Sequence, residues 1–356
     1  EEANKEEVFK IDISKVGKLD FKHKNILLKG VPGTGKSRLI DKKLLVKLGL
    51  NNIIKETDPN NFLYDNILRI NVHSASSNAD LMQGIGVSAN EGDIEYNEKQ
   101  GLILNHLKNA IRKPNQAYAI VLEEIQENNL NELIGDLIYL IEDEKRTDIA
   151  GFIKNYKGNT EFESFDAFVD ELIKQKKNTH FVQIPYLVST KTEYRKLILP
   201  KNLYFFCTSN YRDDKKIIED NLLRRFDLIE LYPKTSVIKD KDVANFLETL
   251  NNRILSVLDG KEIHTDRFLI GHAYWINVNN EKTFHQALLK TITEFKDIRE
   301  IEFSDVKKFF EKLDIDKKNT PFETDLSILK NAKNYKDIIF EIQEKAFGNL
   351  LKDDEE

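Results

Sequence analysis

Cysteine, methionine, tryptophan and proline are scarce in this sequence of 356 residues, which has one of each of the first three and 7 prolines. A single cysteine, Cys207, excludes an intramolecular disulfide and a cysteine-cluster metal site, and its apolar neighbours predict a buried strand position. No apolar stretch approaches the ~20 residues of a membrane helix and no signal peptide is recognisable, so we expect a cytoplasmic protein without membrane contact. The chain starts at Glu1 and its one methionine is Met82, so we expect it to be part of a longer protein.

An excess of positive charge is also missing. The chain carries 54 basic and 60 acidic side chains, which gives a formal net charge of −6. No overall positive field exists to hold nucleic acid, so any contact with DNA must come from a local patch, a pore or another chain. Hydrophobic residues at 40% and charged residues at 32% fit a globular protein, and the length suits two domains of roughly 100–200 residues each.

Short apolar runs alternate with helical patterns in the first part of the chain, which predicts a five-stranded parallel α/β sheet with helices on both faces. The runs are Ile26–Leu28, Ile67–Val72, Ala119–Leu122, Leu203–Cys207 and Leu228–Tyr232. We assign 1–233 to this domain, with a peripheral insertion near 147–183 that carries a helical pattern over Phe165–Lys177. After Pro233, apolar residues recur at helical spacing without a convincing strand, so 234–356 is predicted to be a smaller α-helical lid domain.

A glycine-rich loop follows the first apolar run and precedes a helical pattern, which is the order found in phosphate-binding loops. The loop matches G-x-x-x-x-G-K-[ST] and reads Gly30-Val31-Pro32-Gly33-Thr34-Gly35-Lys36-Ser37. Its glycines allow backbone N–H groups to face a phosphate, helped by the N-terminus of the next helix. Lys36 is expected to neutralise phosphate oxygens and Ser37 to ligate Mg²⁺. The sequence therefore predicts a P-loop nucleoside triphosphatase that uses Mg²⁺.

Polar side chains that could complete this chemistry follow the later strands. Glu123 and Glu124 end the third strand, where Glu123 is expected to hold Mg²⁺ and Glu124 to act as catalytic base on the attacking water. Most such motifs place Asp first, and Glu123 reaches one methylene further. Asn210 ends the fourth strand and can orient the water, or it can cap the next turn. Arg224 and Arg225 precede the last strand, where one can reach a neighbouring subunit's γ-phosphate while the other is structural.

These motifs, followed by a helical lid, resemble the AAA+ ATPase superfamily. Within it the chain is similar to the McrB family, the motor subunits of modification-dependent (type IV) restriction systems. Glu123–Arg146 resembles the family's D-E-I-N-R-x-N and L-x-x-L-I-E-x-D-K-R segments, and Leu269–Trp275 resembles I-G-H-S-Y-F. Asn202–Asn210 resembles N-L-Y-x-I-G-T-M-N, and Val72–Gly84 keeps the His, Asp and Gly of a further family segment.

The resemblance implies a GTPase whose subunits form a hexameric ring, with nucleotide held between Lys36 of one subunit and Arg224 or Arg225 of the next. It also implies an McrC-like nuclease subunit docked on the ring, and DNA recognised through the complex or a missing N-terminal domain. The sequence at 211–214 departs from the family signature, which leaves GTP and ATP both open. Two alternatives also stay open: a MoxR-type AAA+ ATPase chaperone that remodels protein complexes, and a nucleotide-gated scaffold that barely hydrolyses.

Two other parts of the family segments have predicted structural roles. His272 lies among aromatic residues in the lid motif, and we expect it to be a packed, hydrogen-bonded residue and not a catalyst. Lys145-Arg146 follows the helix after the two glutamates, and it either faces a central pore or forms a solvated helix end.

Overall fold

The computed structural model describes residues 8–15, 19–50, 66–90, 93–188, 194–210, 220–261, 264–311, 313 and 320–351. These residues form two compact units. The first contains the described residues of 8–29, 37–209 and 220–229, and the second contains those of 30–36, 210 and 230–351.

The strands are, in chain order, β1 (Phe9–Lys10), β2 (Asn25–Gly30), β3 (Ile67–Asn71), β4 (Gln83–Asn90), β5 (Asp93–Gln100), β6 (Tyr118–Glu123), β7 (Glu161–Phe162), β8 (Val182–Ile184), β9 (Arg195–Leu197), β10 (Leu203–Asn210) and β11 (Asp227–Leu231). The α-helices are α1 (Lys36–Leu39), α2 (Leu45–Lys47), α3 (Asn78–Leu81), α4 (Leu102–Arg112), α5 (Leu130–Ile134), α6 (Ile149–Asn155), α7 (Phe165–Gln175), α8 (Asp220–Leu223), α9 (Lys241–Leu258), α10 (Glu281–Thr293), α11 (Phe303–Glu311), α12 (Ser327–Asn331) and α13 (Tyr335–Leu351). Two π-helical turns occupy Ile40–Leu44 and Glu294–Ile298. Short 3₁₀ helices occupy Ile125–Glu127, Gly135–Ile141, Asp143–Lys145, Thr235–Val237, Thr265–Phe268, His272–Tyr274 and Pro321–Glu323.

A five-stranded parallel sheet in the order β11-β2-β10-β6-β3 confirms the predicted fold class, and each predicted apolar run forms one of its strands. Strand β6 pairs in parallel with both β10 and β3, with Ile120 opposite Phe205 on one side and Leu68 on the other. Strands β6 and β10 are buried along almost their whole length. This burial explains why they read as continuous apolar runs and not as alternating patterns. Cys207 is buried in β10, as predicted, and burial raises the pKa of its thiol.

The core of the first unit also includes the segment near 147–183. Helix α7 directs Phe168, Val169 and Leu172 into the same core as the sheet. The ring of Phe9 on β1 lies 5.5 Å from that of Phe168, and β1 pairs with β7. We predicted a peripheral segment, but the apolar face of its helix packs into the core of the first unit. Its status as an insertion stays a prediction.

Strands β4 and β5 form an antiparallel hairpin that the sequence analysis does not predict. The apolar side chains of Ile85, Val87, Ile94 and Tyr96 are exposed on it. Each strand offers only two alternating apolar residues, which is too short a pattern to distinguish from a loop.

The second unit has its own core, built from helices α9 to α13. Trp275 is fully buried there, with its ring 5.6 Å from those of Phe246 and Phe284. The helical character of the C-terminal part is confirmed, whereas the boundary at 233 stays a prediction. Among the described residues, no helix combines the length and the hydropathy needed to cross a bilayer.

Candidate functional site

The loop after β2 requires glycine at two positions. Gly33 and Gly35 have φ angles of +75° and +83°, in the left-handed region that residues with a side chain rarely adopt. The loop is also closely packed at its start, where a methyl group on Gly30 would collide with the carbonyl oxygen of Leu231. The glycine pattern that identified this loop in the sequence is therefore a requirement of its backbone conformation.

The Lys36 side chain is buried and folded back onto the loop. Its Nζ donates to the carbonyl oxygens of Gly30 (3.0 Å) and Val31 (3.1 Å) and to Oδ1 of Asn210 (2.6 Å). An ammonium group has three N–H donors, and these three acceptors match them. The structure thus brings together two predicted site residues, Lys36 and Asn210, that are 174 positions apart in the sequence.

The family motif around Gly271 packs against the same loop. The N–H of Ala273 donates to the carbonyl oxygen of Gly33 at 3.1 Å, and a side chain on Gly271 would collide with the carbonyl oxygen of Pro32. His272 is buried, and its Nδ1 accepts a hydrogen bond from the N–H of Lys234 at 3.0 Å. The prediction that His272 is a packed, hydrogen-bonded residue is confirmed.

In the first unit, Ser37 and Glu123 form a second group. Ser37 Oγ donates to Glu123 Oε2 at 2.5 Å. The other carboxylate oxygen of Glu123 accepts from Nη1 of Arg69, while Nη2 of Arg69 donates to Asp41. Sequence reasoning missed Arg69. A basic residue inside the apolar run Ile-Leu-Arg-Ile was the signal that could have revealed it.

The oxygens of Ser37 and Glu123 fit a magnesium ion. Mg²⁺ prefers oxygen ligands and is usually bound by one or two protein groups together with substrate phosphates. Among the residues that the structure describes, no cluster of three or more His, Cys, Asp or Glu side chains could hold a metal ion. A hydroxyl and a carboxylate at hydrogen-bonding distance suit a metal that arrives with a nucleotide.

Glu124 has an unusual backbone conformation, with φ 58° and ψ 43°. Left-handed geometry at a residue with a side chain costs roughly 1–3 kcal/mol and is concentrated at functional sites. The N–H of Glu124 donates to Thr208 Oγ1 at 3.1 Å, and Gln126 Nε2 donates to its Oε2 at 2.5 Å. Both backbone and carboxylate of the predicted base are therefore held in place. Thr208 and Gln126 were not singled out by the sequence analysis, although both lie inside its family segments.

The two predicted arginines have different surroundings. Nε of Arg225 lies 3.0 Å from Oε1 of Glu142, and the backbone oxygen of Arg225 accepts from Asn25 at 3.0 Å. The hydrogen bond with Lys145 is the largest cause that lowers the pKa of the Glu142 carboxyl, and the positive charge of Arg225 lowers it further. Arg224 is exposed. Arg225 is thus bound within its own chain.

Arg146 is neither in a pore nor at a solvated helix end, so both interpretations offered for it are wrong. Its side chain is fully buried and donates to the carbonyl oxygens of Ile141 (3.0 Å) and Leu203 and to Oδ1 of Asn25 (2.5 Å). Burial lowers the pKa of Arg146 to about 10. The sequence could not show this, because two of the acceptors are more than fifty positions away. The altered signature at 211–214 lies outside the described residues.

A parallel sheet whose first strand leads into a glycine loop, a buried loop lysine and a hydroxyl paired with a strand-end carboxylate define a P-loop nucleoside triphosphatase. The profile of the family described as "AAA domain (dynein-related subfamily)" matches residues 25–226, which is more than half of the chain. The chain belongs to this family of AAA+ proteins, and it is a nucleotide-hydrolysing enzyme.

The chain is similar to proteins of known identity, among them a curated restriction-enzyme subunit and a solved structure. The "Type IV methyl-directed restriction enzyme EcoKMcrB subunit" of Escherichia coli (strain K12) is 22% identical over 266 residues, which are 71% of this chain and 47% of that protein. The chain therefore spans about half the length of the curated relative it matches. The structure of C. elegans PCH-2 aligns with 92% of this chain and 62% of its own at 14% identity and a TM-score of 0.27, and the fold assignment does not depend on it.

The family match and the curated relative confirm the predicted resemblance to McrB-like AAA+ proteins. The roles assigned to individual site residues stay predictions.

Proposed function

We propose that the chain is the GTP-hydrolysing motor subunit of an McrB-like DNA restriction complex, in which a hexameric ring in the cytoplasm drives an McrC-like nuclease. Family membership and the likeness to a restriction-enzyme subunit support the biological role. The observation that carries the chemistry is the 2.5 Å hydrogen bond between Ser37 and Glu123, because it pairs two oxygen ligands at the end of the phosphate-binding loop.

In this proposal, Ser37 and Glu123 hold Mg²⁺, which neutralises charge on the phosphate oxygens when it is bound. The N–H groups of the loop from Gly30 to Ser37 bind the phosphates, and Lys36 turns from its present acceptors towards them. Glu124 accepts a proton from the attacking water, and its hydrogen bond with Gln126 fixes the direction of its carboxylate. Asn210, now bound to Lys36, orients the same water.

Arg224 is the residue that we propose to act on a neighbouring subunit. Arg225 is engaged by Glu142 of its own chain, whereas Arg224 is exposed and can extend. An arginine supplied by a neighbour stabilises the charge that develops on the transferred phosphoryl group. Such an arrangement requires a ring or another assembly that places one subunit's Arg224 at the next subunit's loop.

DNA recognition is assigned to other parts of the complex. The net charge of −6 gives the chain no general attraction for DNA. The chain also corresponds to about half the length of the restriction-enzyme subunit it resembles. We therefore propose that DNA is bound through the assembled complex or through a domain that precedes this part of the protein.

The first test is steady-state hydrolysis of GTP and of ATP, with Mg²⁺, over a range of protein concentrations. We expect GTP to be preferred by about tenfold, which corresponds to about 1.4 kcal/mol in transition-state binding. Turnover per subunit should rise with protein concentration as the ring assembles. A chain that stays monomeric with either nucleotide at high concentration would exclude the ring. A preference for ATP, with stimulation by a protein client and not by a nuclease, would favour the MoxR-type chaperone.

Three variants separate binding from hydrolysis. Lys36→Ala should abolish nucleotide binding. Glu124→Gln should keep binding but lower turnover by about 100-fold or more, the usual contribution of a general base. Glu127→Gln is the matched control, because Glu127 is an exposed acid at the end of the short 3₁₀ helix that follows Glu124, and it should retain wild-type turnover. Binding without measurable turnover in the wild type would favour the scaffold interpretation.

A further inference from the structure

Arg69 lies between two acidic side chains beside the proposed magnesium site. In the parallel ladder of β3 and β6, Arg69 pairs with Val121 and Asn71 pairs with Glu123. Residues two apart on a strand point to the same face, so Arg69 and Glu123 are diagonal neighbours on one face of the sheet. The guanidinium uses this position to reach Glu123 with Nη1 and Asp41 with Nη2.

Both carboxylate oxygens of Glu123 are therefore engaged, one by Ser37 and the other by Arg69. A glutamate has one more rotatable bond than the aspartate usually found at this position, and fixing a longer side chain costs more rotamer entropy. The planar guanidinium forms hydrogen bonds in a fixed fork, which suits it to hold a carboxylate in one orientation. Asp41 in turn holds the second arm of the fork.

Arg69 could influence a bound cation in two opposite ways. Its positive charge opposes Mg²⁺, whereas its hydrogen bond fixes the orientation of Glu123. Asp41 balances the charge of Arg69, so the three side chains together carry the single negative charge that an aspartate alone would supply. The Arg69 side chain is also 37% exposed, which allows solvent to screen its charge. The remaining effect of Arg69 on a bound cation is that it fixes the orientation of the Glu123 carboxylate.

We propose that Arg69 is a positioning residue for Mg²⁺, which holds the longer Glu123 in the conformation that the metal requires. The inference rests on the proposed function, because it assumes that this site takes up Mg²⁺ together with a nucleoside triphosphate. It assigns Arg69 no contact with the substrate.

The test is an Mg²⁺ titration of nucleotide binding, followed with fluorescent non-hydrolysable analogues of GTP and ATP. Arg69→Met should raise the half-saturating Mg²⁺ concentration by about tenfold, the lower end of what loss of an outer-shell partner does to metal affinity. Binding of the same analogue in EDTA should not change. Lys42→Met is the matched control, because it removes an exposed positive charge next to Asp41 in the chain, and it should leave the titration unchanged.

The direction of the change decides between the two effects. A half-saturating concentration that falls in Arg69→Met would show that Arg69 acts as a competing charge, and one that stays the same would show no role; either result overturns the proposal. If Arg69→Met does not fold, Arg69→Lys decides, because it keeps the positive charge but lacks the planar fork that reaches Glu123 and Asp41 together. It should raise the half-saturating concentration, and an unchanged value overturns the proposal.

A double-mutant cycle tests the link to the length of Glu123. In a Glu123→Asp background, Arg69→Met should change the Mg²⁺ requirement by much less than in the wild type, because the shorter aspartate has one rotatable bond fewer for Arg69 to restrict. Equal effects in both backgrounds would contradict this explanation. If the wild-type chain shows no Mg²⁺-dependent binding of either analogue, the proposed function itself fails. Mg²⁺-dependent wild-type binding with unaffected Arg69 variants refutes only the present inference.

Discussion

Replacing Arg146 with methionine should destabilise the first unit much more than the same change at the adjacent Lys145. Methionine is an unbranched apolar side chain that fills the space of the arginine stem but donates no hydrogen bonds. The two neighbours differ in surroundings: the Arg146 side chain is fully buried, while that of Lys145 is 15% exposed and lies 2.8 Å from Glu142.

The magnitude follows from the acceptors that lose their donor. Asn25 Oδ1 and the carbonyl oxygen of Leu203 each accept from Arg146, and a buried acceptor left without a partner costs about 1–3 kcal/mol. The carbonyl oxygen of Ile141 retains a second donor, Asn25 Nδ2, at 2.8 Å. Removing the buried cation also removes the unfavourable free energy of its desolvation, which offsets part of this loss of stability. We therefore expect a loss of about 3 kcal/mol for Arg146→Met, against about 1 kcal/mol or less for Lys145→Met.

Denaturant unfolding with two signals measures this difference. Far-UV circular dichroism reports on both units, whereas the fluorescence of Trp275, the one tryptophan, reports on its surroundings in the second unit. Transition midpoints should be compared signal by signal, since a chain with two units need not unfold in one step. A free energy of unfolding for Arg146→Met within about 1 kcal/mol of the wild type, or an equal loss in Lys145→Met, would show that the buried hydrogen bonds of Arg146 do not cause the difference.

The remaining predictions concern a buried histidine and the paired arginines. Burial lowers the pKa of His106 to about 4, below the 6.5 of an unperturbed histidine, so only the unfolded chain takes up this proton as pH falls from 6.5 towards 4. The free energy of unfolding should therefore fall by about 1 kcal/mol between pH 7.5 and 5.5, and His106→Phe should lose that part of the pH dependence. Denaturation curves at several pH values measure it, and the same pH dependence in His106→Phe as in the wild type would contradict this explanation. Arg224→Ala should lower turnover of the assembled protein about 1000-fold without moving the denaturation midpoint, whereas Arg225→Ala should lower the midpoint by removing a partner of Glu142. Full turnover in Arg224→Ala, measured under saturating nucleotide, would exclude its proposed role.

Features that depend on short stretches of chain were predictable from the sequence. Strands β6 and β10 of the central sheet are buried along almost their whole length, so each forms a continuous apolar run that stands out from its surroundings. The loop from Gly30 to Ser37 was predictable for a related reason, since its backbone conformation demands glycine at Gly33 and Gly35. In both cases the physical requirement acts on consecutive residues.

Features that depend on distant residues were not predictable. Arg69 and Glu123 are 54 positions apart, and Arg146 and Asn25 are 121 apart, so no local pattern connects them. The hairpin of β4 and β5 was missed for a different reason. Its apolar side chains are exposed, and a strand that buries no face leaves only a weak alternating pattern in the sequence.

Three arginines show how the groups around a side chain determine a role that its sequence position leaves open. Arg146, Arg224 and Arg225 carry the same charged group, and a motif alone can assign any of them to nucleotide or to a pore. Arg146 is enclosed by backbone and amide acceptors, so moving it outward would leave buried oxygens without donors. Arg225 is held less tightly, by an ion pair with Glu142 that is partly exposed. Arg224 alone among the three is exposed, and extending it breaks no buried hydrogen bond of the kind that fixes Arg146. An arginine that reaches another subunit must be able to extend without breaking such hydrogen bonds, and this is the ground on which we propose Arg224 for the role in the neighbouring site.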